Sequence, residues 1–325
     1  MADLRTKFVG LELQNPLIVS SSGLTDSVEK IIKLEEAGAG AVVLKSLFEE
    51  QILHEAGMLA ESSNYPEADD YLKHYTRSQN VDAYLSLIEG AVAKTKIPVI
   101  ASINCVSTSE WFDFARKIEE SGAHALELNV FFMPAGKEAS SKNYEQLYLE
   151  IAEKVKAKID IPVIMKLGQN FTNLIHLADL LYHRGVEGVV LFNRFYSPDI
   201  NIKELRMTSS EVFSSPSDLR YSLRWVAILS ALVDQIDIAA STGVHDGTAL
   251  IKQLLAGAQA VQVCSAIYKN GPAHIGGMLK ELNDWMDDKS YGDLDAFRGK
   301  MNYSNIPDPE IYERSQFMKY FSSHH

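Results

Sequence analysis

The chain predicts a (β/α)8 barrel with extended loops over its C-terminal mouth. Three observations carry that expectation. Short apolar runs recur eight times along the sequence, helical patterns fill most of the gaps between them, and the joints repeat the same residues. Strand and helix alternating in this way is the pattern of a closed parallel barrel.

The runs are, in order, "PLIVS" (16–20), "AVVLK" (41–45), "PVIASIN" (98–104), "HALELN" (124–129), "PVIMK" (162–166), "EGVVLFN" (187–193), "IDIAAS" (236–241) and "QAVQVC" (259–264). Each reads as continuous rather than alternating, so both faces are buried, as a parallel sheet requires. Among the helical stretches are "DSVEKIIKLEEAGAG", "STSEWFDFARKIEESGA" and "GTALIKQLLAGA". Helices stop at Gly38-Ala39, Gly122-Ala123, Gly185-Val186 and Gly257-Ala258, and a strand follows at once. Glycine serves there because the residue past a helix end takes positive φ. In "KIPVIAS" and "DIPVIMK" a proline opens the strand, where it costs no ladder bond.

Composition narrows the function classes. The chain has 325 residues, 46% hydrophobic and 23% charged, which suits a globular core. Its net charge is −12 and no basic stripe interrupts the acid, so nucleic acid is not an expected partner. Its apolar runs are too short to span a membrane, and "MADLRTKFVG" has no hydrophobic signal core. Two cysteines, Cys105 and Cys264, form no metal-ligand spacing. A reducing cytoplasm is the expected compartment. No linker sets off a second domain, so residues 1–325 are read as one.

Chemistry in such barrels sits at the C-terminal ends of the strands. Those ends read Ser20, Lys45, Asn104, Asn129, Lys166, Asn193, Ser241 and Cys264-Ser265. Two lysines placed directly after "AVVL" and "PVIM" are hard to explain as ordinary solvated strand ends. Three connections leaving the mouth are long: 46–77, 130–145 and 194–222. Together they could roof a ligand, and "RMTSSEVFSS" in the third suggests a small hairpin. After the last two strands, "STGVHDG" and "CSAIYKNG" offer small residues that let backbone amides approach a phosphate. Beside such a subsite, Lys166 suits either of two uses. It could stabilise the negative charge of a reduced flavin, or form an imine with a carbonyl substrate. The residues alone do not rank them.

The ordered set "LQNPLIVSSSG", "LKS" (44–46), "LELN" (126–129), "IPVIMKL" (161–167), "LFN" (191–193), "STGVHDGTALIKQLLAGAQAVQVCSAIY" (241–268) and "FRGKM" (297–301) resembles the dihydroorotate dehydrogenases. The likeness is to the soluble class 1 type and covers nearly the whole chain. It implies an FMN-containing barrel that oxidises dihydroorotate, in pyrimidine biosynthesis, and a homodimer. By the same resemblance, Ser21, Ser22 and Gly23 form the flavin-contacting turn, and Lys45 lies near the ring and the substrate. Lys166 lies close to N1 and the ribityl chain, and Asn104 helps at the flavin. Asn129 and Asn193 bind the pyrimidine beside the cofactor, Ser241 belongs to the cofactor site, and Thr242, Gly243, Cys264 and Ser265 hold the phosphate.

The chain departs from that family after Asn129. There the family carries a cysteine or serine as catalytic base, followed by proline and asparagine, whereas here the third residue on is Phe132, then Met133, Pro134 and Ala135. Phenylalanine cannot accept a proton. Ser140 and Ser141, further along the loop, are candidate bases that need a water relay, and Cys105 is better chemistry unless it is simply buried. Phe131 and Phe132 suit stacking on a planar ligand or closing the roof. Where the family has serine or threonine after Asn193, this chain has Arg194, a cation suited to a substrate carboxylate or else a solvent-exposed loop arginine. "SSPSDLRYS" replaces the glycine-rich phosphate loop, and Asn64 is a guess for a second-loop asparagine. The expectation is an FMN-dependent oxidoreductase acting on dihydroorotate or a related planar carboxylate. Its alternatives are a flavoprotein with another substrate, a non-catalytic flavin binder and a flavin-free lyase using Lys166.

Overall fold

A computed structural model describes residues 2–48, 81–104, 115–132, 137, 138, 140–195 and 197–314. Eight parallel strands form the barrel: Leu17–Val19, Ala41–Val43, Val99–Asn104, Ala125–Asn129, Val163–Leu167, Gly188–Leu191, Asp237–Ser241 and Ala260–Val263. They are the eight expected runs. The ring closes because the second strand pairs with both the first and the third, through Val19↔Val42 and Val42↔Val99. A two-residue extension, Leu47–Phe48, lies along the upper end of the third strand, Phe48 opposite Asn104.

The joints explain why the chain turns where it does. Gly38, Gly122, Gly185 and Gly257 all take positive φ, between 84° and 116°, at the ends of helices. Pro98 and Pro162 stand just before their strands, as expected. Helix Val28–Glu36 follows Ser27, and helix Gly247–Ala256 starts on Asp246, whose carboxylate accepts from the Ala249 amide at 2.7 Å. Helix Ser141–Lys156 turns Leu149, Ala152 and Val155 toward the strands, a spacing of three that keeps them on one side. The outward residues of the strands, such as Val163, Met165 and Leu167, join these helices in the larger apolar core.

Inside the ring lies a second, smaller core. Ile18, Val43, Ile100, Ala125, Ile164, Val190, Ala239 and Ala260 make a dry layer drawn from every strand, to which the second strand adds Ala41. An N-terminal hairpin, Thr6–Phe8 with Leu11–Leu13, plugs it from below with Phe8, Val9 and Leu13. The plug is placed by the Val9 amide, which donates to Asp237 Oδ2 at 2.5 Å, at the start of the seventh strand. Burying a side chain the size of Phe8 stabilises by about 1.5–3 kcal/mol. The loop after the sixth strand carries the antiparallel hairpin Pro198–Asn201 with Arg206–Ser209, as the sequence suggested. No helix among the described residues is long and apolar enough to cross a membrane.

Candidate active site

Side chains alternate along a strand, so residues two beyond the dry layer also point inward. On six strands they are Ser20, Ser102, Glu127, Lys166, Ser241 and Gln262, two residues after Ile18, Ile100, Ala125, Ile164, Ala239 and Ala260; on the other two the rule fails, since Lys45 lies exposed past the end of its strand and Phe192 joins the outer core. All six are buried, Glu127 fully and Lys166 to 5% exposure. A buried charge is tolerated only when paired and hydrogen-bonded. Lys166 meets that condition through Gln262 Oε1 at 2.8 Å, Ser20 Oγ at 3.1 Å and Glu127 Oε1 at 3.4 Å. The network closes on itself, since Gln262 Nε2 donates to Glu127 Oε2 at 2.5 Å. An imine-forming lysine must be an uncharged amine. Lys166 instead has the surroundings of an ammonium, with all three donors engaged.

A chain of hydroxyls continues around the mouth. Ser46 Oγ lies 3.0 Å from Ser21 Oγ and 2.8 Å from Ser102 Oγ. Tyr84 donates to the Ser102 carbonyl at 2.9 Å and accepts from its amide at 2.7 Å; burial pushes its phenol well above the ordinary range. Across the mouth, Asn193 Nδ2 donates to Asn129 Oδ1 at 2.9 Å.

Above this layer opens a cavity of about 370 Å³, within the ~300–1,000 Å³ typical of small-molecule and cofactor sites. Lys166, Ser21, Asn193, Ser241, Thr242, Gly243, Cys264 and Ser265 line it, together with Phe195 and Tyr268. Thr242 and Gly243 take positive φ in succession, 75° and 82°. A side chain at Gly243 would meet the Leu219 amide at 2.1 Å, so only glycine fits there. Burial pushes the Cys264 thiol up, against the opposing influence of the nearby Ser22 hydroxyl and the Lys166 charge.

The segment after the sixth strand roofs this cavity, and Arg194 anchors it. Its guanidinium donates to the Glu211 carbonyl at 2.7 Å, the Val212 carbonyl at 3.0 Å and Asp218 Oδ2 at 3.2 Å. Arg194 lines the cavity, half-buried and tied to its own loop, so it is not the solvent-exposed loop arginine that was one of the two expectations. Ser214 is the second anchor. Its amide donates to Ser265 Oγ at 3.0 Å, its carbonyl accepts from Lys269 Nζ at 3.1 Å, and its hydroxyl lies 3.0 Å from His245 Nε2. Desolvation, then the charge of Lys269, holds the His245 imidazole below its usual pKa.

The remaining expected residues lie outside this wall. Lys45 is exposed past the end of the second strand, with no hydrogen bond or ion pair from its ammonium among the described residues. Asn104 is half-buried at the end of the third strand, and Ser22 and Gly23 form the turn after the first. Ser140 is exposed and caps helix Ser141–Lys156, bonded to Asn143 in a reciprocal capping box. Phe131, Phe132 and Ser141 line a smaller, neighbouring cavity. Asn64, Cys105, Met133, Pro134 and Ala135 lie outside the described residues. Glu127, Gln262, Ser46 and Ser102 were not singled out from sequence. Counting two residues along each strand from its apolar interior position would have found all but Ser46.

The family model described as dihydroorotate dehydrogenase matches residues 3–286. The catalytic subunit of dihydroorotate dehydrogenase B (NAD(+)) from Thermoplasma acidophilum is 27% identical over 92% of this chain and 99% of its own length. Its counterpart from Pyrococcus abyssi is 28% identical over 91% of this chain and 98% of its own. The chloroplastic dihydropyrimidine dehydrogenase (NADP(+)) of Arabidopsis thaliana is 25% identical over 91% of this chain and 76% of its own.

Proposed function

The chain belongs to the dihydroorotate dehydrogenase family, and from that premise we propose that it is an FMN-dependent enzyme that oxidises dihydroorotate or a closely related planar carboxylate. It is an oxidoreductase of the class that acts on CH–CH donors. The observation that carries the cofactor reading is the chemistry of the larger cavity. One wall combines a buried ammonium, Lys166, with hydroxyls and a positive-φ backbone pair. An elongated ligand with an electron-poor ring and a phosphate tail suits that donor set. Lys166 would face the ring, and Ser21 and Ser241 the polar chain. Thr242, Gly243, Cys264 and Ser265 would hold the phosphate, with Ser22, Gly23 and Asn104 supporting the near side. When bound, FMN supplies a two-electron acceptor for hydride.

The protein's own part is to hold the donor and exclude water. The Asn129–Asn193 pair offers amide donors and acceptors to the edge of a planar heterocycle. Lys45, exposed and without a partner for its ammonium among the described residues, is a cation suited to a carboxylate at the mouth. Phe132 stands at the third position after Asn129, where a proton acceptor is needed, and its ring packs edge-on against Tyr148 at 5.7 Å. That position favours a second reading: a flavoprotein that takes a different CH–CH donor, or none.

The test is anaerobic titration of the FMN-loaded protein with dihydroorotate, followed by the flavin absorbance. Bleaching is the expected result, and Phe132→Cys should bleach faster. Bound flavin that stays yellow in both proteins removes dihydroorotate as substrate. A protein that takes up no FMN removes the cofactor reading itself. A solution mass twice that of one chain is expected of the homodimer.

A further inference from the structure

Beside the larger cavity lies a second, of about 170 Å³, that shares Phe132 with the reading above but is given no ligand by it. Half of its lining is aromatic, from Phe131, Phe132, Tyr144, Tyr148 and Phe171; Ser141, Asn170 and Thr172 add neutral polar groups, and Glu145 adds one carboxylate. Tyr144, Glu145 and Tyr148 share a face of helix Ser141–Lys156, at spacings of three and four. Tyr148 stands edge-on to Phe132 at 82° and to Phe171 at 80°, so these rings form adjoining walls rather than a stack. Phe131 gives one face to Phe195, 4.0 Å away. Among the described residues no lysine or arginine lines the cavity.

Glu145 is the unusual member. It is half-buried, and it has no hydrogen bond or ion pair among the described residues. A carboxylate drawn partly out of water without a partner is unfavourable, and a cation relieves that cost. Ring faces are themselves negative and attract cations, most strongly when several surround one site. A neutral apolar guest would fit the rings and leave Glu145 unpaired. An anion would be repelled by the carboxylate and by the net charge of −12. Size sets the rest, since an engineered cavity of about 150 Å³ accepts benzene. The space here suits one compact head group.

We propose that this cavity binds a small organic cation, an alkylated ammonium held by the aromatic walls and paired with Glu145. The proposal does not depend on the flavin reading. Calorimetric titration of the full chain with tetramethylammonium, choline and neopentyl alcohol tests it. Both cations are expected to bind saturably, at least about tenfold more tightly than the neutral alcohol of similar shape. Glu145→Gln should weaken the cations about tenfold and leave the alcohol unchanged, and added salt should weaken only the cations. Should Glu145→Gln alter the circular dichroism, Tyr144→Leu replaces it and must lower cation affinity. Absence of saturable cation binding, equal affinity for cation and alcohol, or full cation binding by the folded variants overturns the proposal.

Discussion

The two interior layers of the barrel stand two residues apart on the same strands and have opposite chemistry. Below, Ile18, Ile100, Ile164 and Val190 close on Phe8 and Leu13, with every side chain apolar and buried. Above, Ser20, Ser102, Glu127, Lys166 and Gln262 are just as buried and every one is polar. The lower layer is stable by exclusion of water, which needs only volume and shape. The upper layer is stable only while each polar group keeps its partner. One step along a strand thus converts a stability element into a site. The cavity opens on the side where the partners could be exchanged for those of a ligand.

Removing Lys166 is the harshest way to break this comparison. Lys166→Met leaves Glu127 fully buried without its cation, which should cost about 3–5 kcal/mol of stability in urea denaturation. In the FMN-loaded enzyme the same change should slow flavin reduction by about 100-fold or more. Adding Glu127→Gln should recover most of the stability and none of the rate. A single variant as stable as the parent would mean that the upper layer is not held by charge.

The lower layer should answer differently. Phe8→Ala empties the plug and should cost about 3–5 kcal/mol by the same denaturation measurement. Affinity for FMN in the folded fraction should stay within experimental error of the parent. If FMN affinity instead fell along with stability, the two layers would be one cooperative unit rather than two.

This division explains what could be read from the sequence. The strands were legible because both their faces are apolar, and the joints because glycine at positive φ is a local requirement. The two lysines looked equivalent, each following four apolar residues, and they are not. Strand Val163–Leu167 runs past Lys166, so that lysine belongs to the ladder and must point inward. Strand Ala41–Val43 ends before Lys45, which is free to leave. Glu127 and Gln262 were overlooked because a single polar residue inside an apolar run reads as noise unless strand period is counted. Ser140 had a local signature, the serine followed three residues later by Asn143, that marks a helix start. Arg194 had none: its partners Glu211, Val212 and Asp218 are defined by how the roof folds back.

The gentlest probe sharpens the same comparison, because the dry layer contains nothing to titrate and the roof does. His245 touches Ser214, and Lys269 holds the Ser214 carbonyl. The imidazole is kept below its usual pKa first by desolvation and then by Lys269, against the opposing pull of the Ser214 backbone and then of Asp246 and Asp218. A loosened roof would therefore take up a proton at His245 before the closed one does. Stability of the closed roof rises with pH through the window just below the ordinary histidine value of about 6.5, and is lost on acidification through it. Ser214 can donate or accept, so the hydrogen bond itself survives either ring state, and the loss comes from solvation and from repulsion by Lys269. FMN dissociation should accordingly quicken a few-fold between neutral and mildly acidic pH and stay flat above neutrality. His245→Gln, which can still bond Ser214, should flatten the profile. An unchanged pH profile in that variant would place the titrating group elsewhere, and a profile absent from the parent would mean that the roof does not respond to this histidine.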